Sequence, residues 1–96
     1  EVTVELEGTG GILTVGDVTP NPVKDQSTVT VNLSEGANMT VELFNSEGKS
    51  LSTLFNGYTS GLRDITINAS EYANGSYTLV VRVGERTIIR SIIIVK

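Results

Sequence analysis

Tyr77-Thr78-Leu79-Val80-Val81-Arg82-Val83-Gly84-Glu85-Arg86-Thr87-Ile88-Ile89-Arg90-Ser91-Ile92-Ile93-Ile94-Val95-Lys96 is the last stretch of the chain. Tyr77, Leu79, Val81 and Val83 alternate with Thr78, Val80 and Arg82. That period marks a strand with one face in a core. Gly84-Glu85 then reads as a two-residue hairpin loop with Gly first, as a type II′ turn requires. A plain hairpin of this kind pairs Val81 with Ile88 and Leu79 with Arg90, which turns Arg90 toward the core. An unpaired charge there is costly. One extra residue swaps the faces, so a β-bulge or bend is expected near Arg90. From Ile92 to Val95 both faces are apolar. The strand is either covered on both sides or offered to a partner that inspects it or extends it by edge pairing.

The same alternation runs back through the chain. Val29, Val31 and Leu33 alternate with Thr28, Thr30 and Asn32, and Met39, Val41 and Leu43 with Thr40 and Glu42. Ile65, Ile67 and Ala69 alternate with Asp64, Thr66 and Asn68. Asn45-Ser46-Glu47-Gly48 suits a hairpin loop with Gly48 at positive φ. Gly57-Tyr58-Thr59-Ser60-Gly61 reads as a longer loop, and Asn74-Gly75 as a turn. Around Leu51-Ser52-Thr53-Leu54-Phe55 the apolar phase changes, so a second bulge is expected there. Pro20-Asn21-Pro22 reads as a stiff extended elbow that a central strand excludes. No window has helical spacing. The pattern predicts an all-β chain, an antiparallel β-sandwich of about seven strands. Residues 18–96 form the sandwich. Residues 1–17, with strands at Glu1–Glu7 and Ile12–Val18 around Gly8-Thr9-Gly10-Gly11, read as an N-terminal strand or hairpin, or as a linker from an upstream module.

The 96 residues suit one domain and an independent core. The chain opens on Glu1-Val2-Thr3-Val4 without a signal-peptide pattern and reads as a fragment of a longer protein. With no cysteine, disulfides and thiolate metal sites are excluded, and a bacterial or cytosolic source is favoured. With no histidine, the commonest general base and zinc ligand are missing. A net charge of −4 argues against a nucleic-acid partner. No apolar run reaches the roughly 18 residues of a membrane span.

Little in the chain points to chemistry. Asp17, Asp25 and Asp64 sit at strand ends, but their spacing is not that of a Ca²⁺ loop, and turn aspartates usually bond their own backbone. Paired-acid glycosidase chemistry needs a cleft that a small sandwich does not offer. Serine and threonine need a base, and no lysine is placed beside one. Carbohydrate platforms present exposed rings. Here there is no Trp, with 3 Tyr and 2 Phe. Tyr77 alternates into the core, Tyr72 plugs one end of the sandwich, and Tyr58 sits alone on its loop. The N-glycosylation patterns at Asn38, Asn68 and Asn74 read as turn and strand-end chemistry. The expectation is no enzyme, no cofactor, no metal and no small-molecule substrate.

From Pro20 onward the chain resembles the C-terminal sorting domain, type A, of proteins exported by the type IX (Por) secretion system of Bacteroidota. The likeness covers residues of about 18 to 96. It rests on Pro20-Asn21-Pro22, the Val29-x-Val31-x-Leu33 strand and Val41-Glu42-Leu43-Phe44-Asn45-Ser46-Glu47-Gly48-Lys49. The last of these is similar to the family's aromatic–Asp–x–x–Gly hairpin. Leu51, Leu54, Gly61, Asn68-Ala69-Ser70 and the Gly-x-Tyr opening Gly75-Ser76-Tyr77 follow in order, then the tail with Arg90 and Lys96. Phe44, Asn45, Ile67 and Ser91 stand where the family often has Tyr, Asp, Trp and a basic residue.

The resemblance implies an immunoglobulin-like β-sandwich that serves as an address, with no catalytic role. Its cargo folds in the periplasm and is directed through the outer-membrane translocon. A sortase-like protease often removes the domain, leaving the mature protein secreted or attached at the cell surface. The partners implied are the translocon and sortase-like components, and the isolated domain is expected to be a monomer. Partner recognition is expected at Gly84, Arg90, Ile92, Ile94, Val95 and Lys96, with Pro20, Asn21, Pro22, Gly48, Gly75 and Tyr77 as structural motif residues. Gly8–Gly11 and the stretch up to Pro20 would supply an accessible cleavage approach. The rival readings are a passive immunoglobulin- or fibronectin-like spacer and a carbohydrate-binding module of a secreted multidomain hydrolase.

Overall fold

In a computed structural model, which describes residues 2–5 and 11–96, six strands form one curled antiparallel sheet. They are β1 (Val2–Glu5), β2 (Ile12–Val15), β3 (Gln26–Asn45), β4 (Ser50–Asn68), β5 (Gly75–Val83) and β6 (Arg86–Ile94). A 3₁₀ turn spans Ala69–Glu71. Glu1, Leu6, Glu7 and the Gly8–Gly10 linker lie outside the described residues, so the expected cleavage approach is described only from Gly11 onward.

The all-β class is as the alternation predicts. The strand count differs from about seven because β3 and β4 each run through both halves of the sheet, over 20 and 19 residues. In the first half β3 lies between β2 and β4, with Leu13 opposite Leu33 and Val29 opposite Ile65. In the second half β5 takes the place of β2, with Val41 opposite Val81 and Leu43 opposite Leu79. The change falls at a register shift between Leu33 and Ala37. Here β4 continues through Gly57–Gly61, where a loop was expected. Gly57 stays near extended backbone and Gly61 absorbs the irregularity at φ 72°. The phase change over Leu51–Phe55 is resolved as expected. Leu54 and Leu51 are each extra residues where β4 slips against Val41–Glu42 and Leu43–Phe44. These bulges also blunt β4, which is the edge strand of both halves.

Both halves contribute to one core. Leu33, Val31 and Ile67 from the first and Leu43, Leu79, Ile92 and Ile94 from the second are essentially inaccessible. Complete burial of a Leu or Ile side chain contributes about 1.5–3 kcal/mol, so this shared cluster is what holds the two halves of the curled sheet together.

The Pro20-Asn21-Pro22 elbow is a bend with both X-Pro peptide bonds cis, not an extended elbow. Its place in the sheet gives the reason. Thr19 exchanges both backbone hydrogen bonds with Thr28 on β3, at 3.1 and 3.0 Å. Four residues on, Val23 N–H donates to the Ile93 carbonyl at 2.7 Å and Val95 N–H donates to the Val23 carbonyl at 2.9 Å. The chain therefore turns sharply to step from β3 onto the outer edge of β6. The Ser27 hydroxyl donates to the Pro20 carbonyl inside that bend.

Candidate functional site

The last hairpin is built by Gly84-Glu85 as the sequence reading has it. Gly84 takes φ 58° and Glu85 after it does not have positive φ, the signature of a II′ turn. The register runs unbroken from Val83 opposite Arg86 to Gly75 opposite Ile94. No bulge intervenes, contrary to expectation, and Arg90 does lie on the core face opposite Leu79. The charge is met by partners. Arg90 Nη2 donates to the Val15 carbonyl oxygen at 2.8 Å, and Nη1 lies 3.5 Å from Asp17 Oδ1. Arg90 Nε is buried without a hydrogen-bond partner.

That register sorts the expected recognition residues. Ile92 and Ile94 are fully buried and Arg90 is half-buried. A partner meeting the folded domain does not touch Ile92 or Ile94. Val95 and Lys96 are exposed, and the Lys96 N–H donates to Asn74 Oδ1 at 2.9 Å. Gly84 is exposed at the hairpin tip. The exposed apolar side chains of β6 are Ile89, 62% exposed, and Ile93, 47% exposed, continued by Val95. Ile89 stands opposite Val80, which it helps to bury on this outer face. Toward β3 the apolar strip is bounded by the Arg82–Glu42 ion pair, 2.6 Å. Sequence reasoning placed recognition by position in the last hairpin and did not single out Ile89 and Ile93. The Gly84-Glu85 hairpin, taken at face value, places 88, 90, 92 and 94 inward and 89, 91 and 93 outward.

The outer edge of β6 is occupied over its last residues. Asn21 Nδ2 donates to the Ser91 carbonyl and Asn21 Oδ1 accepts from Ile93 N–H, both at 3.2 Å. Pro20 and Pro22 flank this amide clamp, and Val23 continues it. The remaining motif residues are structural. Gly48, φ 84°, closes the turn in which Asn45 Oδ1 accepts from Glu47 N–H and Lys49 N–H. Gly75 opens β5. Tyr77 is buried, its hydroxyl donating to the Ala73 carbonyl at 2.5 Å.

Tyr72 packs against the core near Tyr77, with ring centroids 5.7 Å apart, and its hydroxyl meets Ser52 Oγ at 2.8 Å. A shallow cleft lies here, lined by Asn45, Leu51, Ser52, Glu71, Tyr72 and Tyr77. Both its phenols are engaged within the protein. Tyr58 stands on β4 and not on a loop, 69% exposed. Asp64 accepts a hydrogen bond from the Thr30 hydroxyl at 2.7 Å. Among the described residues no three acidic side chains gather as a cation site.

Residues 17–95, most of the chain, match the family model described as the secretion system C-terminal sorting domain. No curated protein matches the chain.

Proposed function

The chain belongs to the secretion system C-terminal sorting domain family, and from that premise we propose that the outward face of its last hairpin is what the export machinery reads. The domain is a sorting signal of the type IX secretion system, so it interacts with that machinery, and the protein carrying it is secreted or displayed at the cell surface. The family match does not favour the spacer or the carbohydrate-binding reading.

The observation that carries the proposal is the division of β6. Ile92 and Ile94 are buried in the core, while Ile89, opposite Val80, and Ile93, opposite Ser76, stand in solvent and Val95 follows them. Exposed apolar surface on one strand face is what a partner would cover. The partner in this reading is the outer-membrane translocon, met by a folded domain arriving from the periplasm, with a sortase-like protease acting afterwards. The two halves of the sheet act as the layers of an immunoglobulin-like sandwich, in keeping with their shared core. The β1–β2 hairpin travels with them, since β2 pairs with β3. The domain works as a label, without catalysis or cofactor.

Fusing the chain behind a periplasmic reporter in a type IX-competent host tests this. Ile89→Asn with Ile93→Asn should leave the thermal unfolding of the purified chain close to the original and abolish surface delivery of the reporter. Delivery at the original level by the doubly substituted, folded domain would count against this face. Complete removal of residues 90–96 is a poorer test, because it also removes Ile92 and Ile94 from the core.

A further inference from the structure

We propose that Asn74 is a site of spontaneous covalent modification, converting to aspartate and isoaspartate through attack by the Gly75 backbone nitrogen. The chain holds two Asn-Gly pairs, Asn56-Gly57 and Asn74-Gly75. Only glycine leaves the following amide nitrogen unshielded by a Cβ. The fold treats the two pairs differently.

Asn56 lies within β4, opposite Thr40, and Gly57 lies opposite Met39. Asn56 Oδ1 is paired with the Thr40 hydroxyl at 3.3 Å. Ring closure needs the asparagine backbone to rotate so that its Cγ meets the next nitrogen. A residue held in a ladder does not make that rotation without unzipping the strand. Asn74 stands in an exposed bend between the 3₁₀ turn and β5, so the rotation needs only the terminal Gly75–Ile94 pair of the ladder to open. Its Oδ1 accepts the Lys96 backbone N–H at 2.9 Å. A donor on that oxygen draws electron density from Cγ and stabilises the oxyanion that forms there during attack. The Nδ2 side of the amide, the leaving group, carries no hydrogen bond to a described residue.

The step is balanced by water alone. The Gly75 nitrogen loses its proton to solvent base and bonds to Asn74 Cγ. The bond from Cγ to Nδ2 breaks, and ammonia departs with a proton taken from water, leaving a succinimide. Water then opens the ring. Addition at Cγ gives aspartate, and addition at the backbone carbonyl carbon gives isoaspartate, with the chain now routed through the former side chain. The second product inserts a methylene just before Gly75, which pairs with Ile94. It therefore loosens the far end of the last hairpin and the tie to Lys96.

The test is incubation of the purified chain at mildly alkaline pH, followed by peptide mapping and isoaspartyl methyltransferase labelling. Asn74 should gain the mass of the amide-to-acid exchange several-fold faster than Asn56, with isoaspartate as a labelled product. Lys96→Pro, which removes the N–H on Oδ1, should slow the conversion at Asn74 and leave Asn56 unchanged. Equal rates at the two asparagines would overturn the proposal. So would an unmodified Asn74 after a time in which a free peptide of the sequence Ala73–Tyr77 is converted.

Discussion

Arg90 on β6 holds Val15 on β2 through a guanidinium-to-carbonyl hydrogen bond of 2.8 Å that spans the two halves of the sheet. Its side chain reaches the core face because the hairpin register is unbroken, so the cost of placing a charge there is met locally by Val15 and Asp17. Hydrogen bonds to charged groups contribute about 1.5–3 kcal/mol. Arg90→Ala should therefore destabilise the domain by about 2 kcal/mol. Arg90→Met keeps the apolar stem and leaves no charge to desolvate, so its loss should be under about 1 kcal/mol. Urea midpoints at constant m-value give both numbers. Equal losses for the two variants would assign the effect to the guanidinium's bonds to Val15 and Asp17, since only the methionine keeps the stem packing.

The hairpin between β3 and β4 depends on an acceptor at position 45. Asn45 Oδ1 takes the N–H groups of Glu47 at 2.9 Å and Lys49 at 3.0 Å, while Gly48 supplies the left-handed backbone. Asn45→Ala removes this acceptor and should cost about 1 kcal/mol. Asn45→Asp keeps it, in the form the family often carries, and should be neutral within about 0.5 kcal/mol. Thermal unfolding of the pair distinguishes an acceptor role from a general effect of substitution at the turn.

Much of this architecture was legible because strand alternation and turn chemistry are local signals. The II′ hairpin at Gly84-Glu85, the Gly48 turn and the bulges beside Leu51 and Leu54 all follow from residues within a few positions of one another. What was not legible depends on partners far along the chain. The inward position of Arg90 is allowed by Val15 and Asp17, which no window around Arg90 contains. The bend at Pro20-Asn21-Pro22 follows from a seat on β6 that the sequence around it does not show. Gly57 and Gly61 signalled a loop, yet the ladder with β3 holds β4 extended across them. Ile92 and Ile94, where partner recognition was expected, are buried and Ile89 and Ile93 are exposed, because the register of the last hairpin is unbroken.

Tyr58 lies across Gly36 where the first half of the sheet turns into the second. A Cβ built on Gly36 would stand 2.0 Å from the phenolic oxygen and 2.5 Å from the ring carbon bearing it. Gly36 has no positive φ, so alanine is allowed by the backbone. Where the backbone allows it, Gly→Ala stabilises by about 0.4–1 kcal/mol through the unfolded chain. Gly36→Ala alone should be neutral or mildly destabilising, because the exposed ring must swing aside. In a Tyr58→Ala background the same change should stabilise by about 0.5 kcal/mol. A double-mutant cycle by urea unfolding measures the coupling, and zero coupling would show that the ring does not rest on Gly36 in solution.

Asn21 closes the outer edge of β6 with an amide used at both ends, donating to the Ser91 carbonyl and accepting from Ile93 N–H. Aspartate is nearly the same shape but, when ionised, only accepts. Asn21→Asp keeps the bond from Ile93 and sets a carboxylate against the Ser91 carbonyl oxygen. Asn21→Ala removes both bonds and leaves two exposed backbone groups to water. The aspartate variant should therefore lose at least as much stability as the alanine variant, about 1–2 kcal/mol for each. Hydrogen exchange separates them further. Ile93 N–H should exchange faster in Asn21→Ala and remain protected in Asn21→Asp. Unchanged protection of Ile93 in the alanine variant would mean that Val23 alone seals this edge.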